Sequence, residues 1–230
     1  MEKSQFDLCL NILRRFNRGG LLDHLVLIGS WCVVFYEDYF RSSGVDLPSL
    51  RTRDIDFLVP RPSKFKEVVD VPRLVEDLGF TVVRNSNGLL RLNHPDLILE
   101  FLVPERGAGQ DDPVALPKLG MNAVALRFLT LLMDDVLQVD VEDFIITLPH
   151  PVPFAFHKLI IAQRRKNKDK SIKDHQMAVD LLRALIQKGD TPRIKKTFHL
   201  LPSPWQKKVL QGLDPTTDLD LHTLLTSSPV

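Results

Sequence analysis

Asp54 and Asp56 stand one residue apart in RTRDIDFLVP, residues 51–60, directly ahead of the apolar run Phe57-Leu58-Val59. Side chains alternate between faces along a strand, so the two carboxylates project together and Ile55 points the other way. Two like charges on one face repel each other unless a cation sits between them. Mg²⁺ (or Mn²⁺) suits that place, as a hard ion that takes one or two carboxylates together with phosphate oxygens. The bland alternative is a solvated strand end with unrelated charges. Context favours the metal. The run LVLIG, 25–29, reads as a short buried strand stopped by Gly29, and Ser30 can cap a following helix. Glycine lets a backbone approach a ligand, and helix-start N–H groups with a serine hydroxyl suit a phosphate.

The elements that must position these residues follow from periodicity. Apolar residues at near-helical spacing over 4–17 predict a helix ended by Gly19-Gly20, and WCVVFYEDYF predicts a second helix after Ser30. Residues 54–59 read as a buried strand, 64–78 as a helix and FTVVR as a strand. GLLRLNHPDLILEFLVP reads as a hairpin that turns at Asn93-His94-Pro95-Asp96. Residues 105–120, rich in glycine and proline, are the linker candidate. Residues 122–148 read mostly as strand. PFAFHKLIIAQRRK and KDHQMAVDLLRALIQKG are helices, and shorter ones are expected from about 191 and 203. This pattern is α/β: a small mixed sheet flanked by helices over 1–110, then a mainly helical domain over 111–230.

LIGS followed by RTRDIDFLV resembles the h-G-[GS] … D-x-D signature of the DNA polymerase beta nucleotidyltransferase superfamily, in its compact bacterial stand-alone form. The resemblance continues through ALRFLTLLMDD, LPHPVPFAFHKLIIAQRR and KSIKDHQMAVDLLRAL, and covers roughly residues 20–186. It implies a third carboxylate on a neighbouring strand. The matching position is Glu100, between Leu99 and Phe101, where the family more often has Asp; Asp96 is the competitor, placed in the hairpin turn. A lone carboxylate on an apolar strand is costly unless paired or metal-bound.

In the helical half, Lys158 and Arg165 are seven residues apart and share a helix face. Asp174 begins a stripe with Ala178, Leu181, Leu182 and Leu185, which turns it toward the core. There it needs a cation, and Lys158, Arg164, Arg165 or Lys173 could supply one. One reading is a structural ion pair between packed helices. The other has Lys158 and Lys173 neutralising triphosphate charge while Asp174 orients Lys158.

Composition excludes several classes. Lys and Arg total 30 against 29 Asp and Glu, a formal charge of +1, which argues against a nucleic-acid-coating protein. RRKNKDK, 164–170, is basic but reads as a solvated helix-end loop before it reads as an RNA or DNA contact. Cys9 and Cys32 lie in apolar surroundings and form no C-x-x-C pair, so buried thiols and a cytoplasmic location are expected. The seven histidines show no zinc spacing, and no Walker loop or G-x-S-x-G elbow occurs. No stretch approaches the apolar length of a membrane span, and the first residues lack a signal-peptide core. Trp31 reads as core.

The expected reaction is transfer of a nucleoside monophosphate from an NTP, ATP among them, to an acceptor hydroxyl on a small molecule, RNA or protein. Asp54, Asp56 and Glu100 would be the metal and catalytic carboxylates, with Lys158 and Asp174 assisting. Gly29, Ser30, Arg51, Thr52, Lys158 and Lys173 would hold the nucleotide, in a cleft between the two domains. Two other readings stand beside it: a toxin–antitoxin nucleotidyltransferase acting on tRNA or a partner protein, and a non-catalytic NTP-binding module. Residues 190–230 carry no recognisable motif.

Overall fold

The computed structural model describes residues 3–41, 43–45, 47, 52–107, 112–214 and 216–227. It divides into two compact units. The first holds residues 1–34 and 49–149, and the second 35–48 and 150–230. These units change over at Pro149-His150, while the sequence pattern places a domain boundary at 110. The intended linker contains a strand, Val114–Leu116, although residues 108–111 lie outside the described residues.

In the first unit, α1 (Lys3–Arg18) precedes β1 (Val26–Ile28), β2 (Asp54–Leu58), β3 (Thr81–Arg84), β4 (Leu90–Asn93) and β5 (Ile98–Pro104). The strand order is β1-β2-β5-β4-β3, with β2 and β5 parallel and the other pairs in this path antiparallel. The sheet is mixed, as the sequence predicts. A further strand, β7 (Met121–Leu126), runs parallel to the far end of β5 and pairs with β6 (Val114–Leu116). The strands β8 (Val136–Val141) and β9 (Phe144–Pro149) form a separate antiparallel hairpin.

One face of the central sheet is aromatic. Phe57 and Phe101 are register partners with ring centroids 6.0 Å apart, and Phe16 of α1 sits 5.0 Å from Phe57 and 6.4 Å from Phe101. All three are buried. Helix α1 buries Cys9, Leu10, Ile12, Leu13 and Phe16, and Phe16 meets this face. Burial raises the Cys9 thiol well above its ordinary pKa, so it stays a neutral packing group.

Two predicted helices are shorter than their patterns. WCVVFYEDYF breaks at Tyr36 into α2 (Trp31–Phe35) and α3 (Glu37–Arg41), where the chain leaves the first unit for the second. Of the expected helix 64–78, only α4 (Val71–Val75) is α-helical. Asp70 caps it by accepting from the Arg73 N–H at 3.2 Å, and Pro72 lacks the N–H that a helix running through it would need.

The second unit is built on α5 (Pro151–Ala162) and α6 (Lys168–Lys188), with α7 (Thr191–Leu200), α8 (Ser203–Gln211) and α9 (Leu219–Thr226) around them. His150 caps α5 through Nδ1 and Asn167 caps α6 through Oδ1. Gly189, at φ +91°, ends α6 as expected. Helix α9 has no counterpart in the sequence reading. Among the described residues no helix is long and apolar enough to cross a membrane.

Phe16 carries the packing between α1 and the sheet. We expect Phe16→Ala to remove about 3–5 kcal/mol of stability. Urea denaturation read by circular dichroism checks this, and a loss under about 1 kcal/mol would mean that α1 is not the lid of the aromatic face.

Candidate active site

Strands β2 and β5 decide the site. Their parallel register pairs Asp54 with Ile98, Ile55 with Leu99 and Asp56 with Glu100. Register partners project to the same face, so Asp56 and Glu100 stand side by side with Asp54 two residues along, opposite the aromatic layer. All three are half-buried.

Gly29 closes the third side. It follows β1, whose Ile28 is the register partner of Asp56, and it holds φ +74°. A Cβ built on Gly29 would overlap the Asp56 carboxylate and lie 3.1 Å from its Cγ. Glycine is therefore required twice, for the backbone angle and for the carboxylate's room. Ser30 follows directly, half-buried at the start of α2. Thr52 Oγ1 donates to the Asp54 carbonyl at 3.5 Å, a long bond just before the strand. Arg51 lies outside the described residues. Asp96 stays in the hairpin turn, where its N–H meets His94 Nδ1 at 3.1 Å.

Sequence reasoning missed Arg91. This residue of β4 forms an ion pair with Glu100 from the neighbouring strand. The lone carboxylate on the apolar strand thus has a guanidinium partner. The signal was faint, since Arg91 merely alternates with Leu90 and Leu92.

Among the described residues, no group of three or more His, Cys, Asp or Glu side chains is placed to hold a metal ion. Mg²⁺ does not require such a cage, because it keeps water and phosphate oxygens in its shell beside one or two carboxylates. Asp54 and Asp56 are hard oxygen donors on one face, and in donor chemistry they fit that ion. Glu100, engaged by Arg91, is the less available third donor.

The second unit holds the other candidates. Lys158 and Asp174 are 4% and 5% exposed, and Lys158 Nζ donates to Asp174 Oδ1 at 2.6 Å. Arg165 Nε donates to Oδ2 at 2.7 Å, so one carboxylate joins two cations from α5 and the turn after it. Of the four cations that could have met Asp174, these two do. Burial alone would raise the Asp174 pKa, but the Lys158 charge and the hydrogen bonds from Lys158 and Arg165 hold it below the usual carboxylate value. Next to them His157 is buried, and burial followed by the Lys158 charge pushes its pKa down to about 3. It is a neutral imidazole at physiological pH. Lys173 is exposed, on a different face of α6 from Asp174.

No curated protein matches the chain significantly. Two solved structures are similar to the chain. The solution structure of the antibiotic-resistance factor ANT(2'')-Ia is 14% identical, covers 83% of this chain and 92% of that one, and gives a TM-score of 0.47. The crystal structure of ANT(2'')-Ia in complex with adenylyl-2''-tobramycin is 15% identical, covers 82% and 97%, and gives 0.46. Residues 8–199 match the profile described as Nucleotidyltransferase. The match takes in Gly29, both aspartates, Glu100 and the Lys158–Asp174 pair, and the chain belongs to the nucleotidyltransferase family.

Proposed function

We propose that this enzyme carries out Mg²⁺-dependent transfer of a nucleoside monophosphate from an NTP to an acceptor hydroxyl, with release of pyrophosphate, as in the DNA polymerase beta superfamily. The observation that carries the reading is the register that sets Asp56 beside Glu100 with Gly29 packed against Asp56. Asp54 and Asp56 would hold the metal. When bound, that ion supplies charge neutralisation on the phosphate oxygens.

The chain's own residues do the remainder. Gly29 and Ser30 offer backbone and hydroxyl contacts to the triphosphate, with Thr52, and Arg51 from outside the described residues, supporting that arrangement. Glu100 accepts the acceptor hydroxyl's proton as its oxygen attacks the α-phosphorus and the bond to pyrophosphate breaks. Arg91 pairs with Glu100 from the neighbouring strand and holds it in place. Lys158 and Lys173 neutralise triphosphate charge, and Asp174 orients Lys158.

Three outcomes are expected. Calorimetry should find NTP binding strengthened by Mg²⁺ or Mn²⁺ in the wild type, and no such gain in Asp54→Asn with Asp56→Asn. Metal-independent affinity in the wild type would remove the metal role of these carboxylates.

Glu100→Gln should lower kcat by roughly 10²-fold or more with little change in NTP affinity, because a base acts in the transition state. Steady-state kinetics with unchanged turnover would leave Glu100 as a structural partner of Arg91.

The third outcome concerns the helical pair. Asp174→Leu alone strands a buried Lys158 and should cost about 3–5 kcal/mol. Lys158→Met with Asp174→Leu should recover the melting temperature but not NTP binding. A stable double variant that binds NTP at wild-type affinity would reduce the pair to scaffolding.

A further inference from the structure

The near-neutral chain total conceals a separation of charge. Residues 150–230 contain fourteen Lys and Arg against seven Asp and Glu, a net of +7, whereas residues 1–149 contain sixteen against twenty-two, a net of −6. Such asymmetry between halves points to a polyanionic partner for the basic one.

The structure sharpens this. The acids of the helical segment are turned to internal ties. Asp174 holds Lys158 and Arg165, Asp190 accepts from Tyr39 and Asp180 from Gln176, while Asp214, Asp218 and Asp220 bond within the α6–α9 region. The cations are mostly on the outside. Arg164, Lys166, Lys168, Lys170 and Lys173 are all exposed within ten residues, with Asp169 the one exposed acid among them. Gln163 donates to the Lys208 carbonyl at 2.8 Å, which brings the Lys207-Lys208 end of α8 to the start of the run.

We infer that this surface, the α5–α6 turn with the first turns of α6, docks the phosphate backbone of a double-helical RNA whose terminal hydroxyl is the acceptor. The inference rests on the nucleotidyl-transfer reading and names its acceptor class. A nucleic acid presents regularly spaced charges to such a run, and it also carries the hydroxyl that the reaction consumes. Residues 163–173 include no aromatic side chain, so the surface offers no stacking platform for single-stranded bases. Recognition through phosphates and shape is what a helical RNA stem provides. RNA also ends in two neighbouring hydroxyls where DNA ends in one.

The test is fluorescence anisotropy on the full chain with a labelled RNA hairpin, the same hairpin in DNA, phosphatidylserine vesicles and poly-glutamate. Expected is RNA binding whose log–log salt slope is on the order of −3. Lys166→Glu with Lys168→Glu and Lys170→Glu should weaken it at least tenfold and flatten the slope by about 2. The corresponding Lys→Gln triple should fall between, with melting temperatures checked for each variant.

RNA affinity unchanged in the Glu triple overturns the proposal, as does equal or tighter binding of DNA, vesicles or poly-glutamate. Asp54→Asn with Asp56→Asn should keep RNA binding and lose transfer. Wild type that binds RNA but transfers nothing to it from any NTP would overturn RNA as the acceptor, whereas loss of metal-dependent NTP binding would defeat the nucleotidyl-transfer reading itself.

Discussion

Everything at the candidate site depends on the parallel pairing of β2 with β5. That register sets Asp56 and Glu100 side by side, an arrangement that like charges resist. It persists because other interactions outweigh the repulsion. Arg91 meets Glu100 from the next strand, and on the opposite face Phe57 and Phe101, partners in the same register, stack beneath Phe16. A slip of one residue would turn the phenylalanines to the carboxylate face and the carboxylates into the aromatic layer. The two faces therefore hold each other in register.

Gly29 belongs to the same constraint. Its positive φ turns the chain out of β1, and its missing side chain leaves the space that the Asp56 carboxylate fills. Any larger residue would have to displace that carboxylate or strain the turn. One atom of side chain thus separates a turn that leaves room for the Asp56 carboxylate from one that does not.

In the helical unit the organising group is Asp174. A carboxylate and an ammonium that are both 5% exposed or less are costly to bury, and the cost is met only by close hydrogen bonds. Asp174 has two such bonds, from different points on the chain, so it fixes α6 against both α5 and the turn between them. His157 remains neutral beside Lys158, which spares the core a further positive charge. Around the α5–α6 turn, Asp174 is committed to such a tie while Arg164, Lys166, Lys168, Lys170 and Lys173 are exposed, so the surface of this stretch is left positive.

The sequence by itself determined which elements carry the candidate residues and which face each residue takes. Asp54, Asp56 and the Gly29-Ser30 turn lie close to short apolar strands, and period-two alternation alone places both aspartates on one face. The helical halves of α5 and α6 were equally legible, since a 3.6-residue stripe puts Asp174 among core leucines. What local pattern could not carry was pairing between strands. The hairpin's tight loop, in which the His94 N–H reaches the Leu97 carbonyl, pairs Leu92 with Leu99 and so brings Arg91 to Glu100. A turn centred on residues 93–96 would have put Arg91 two residues away, opposite Ile98. The unit boundary was hidden for the same reason. Glycine and proline at 105–120 mark a local break, yet β7 returns to pair with β5, and contacts far apart in sequence decide which segments pack together. Local spacing fixes which face a side chain takes; only tertiary pairing decides what stands beside it.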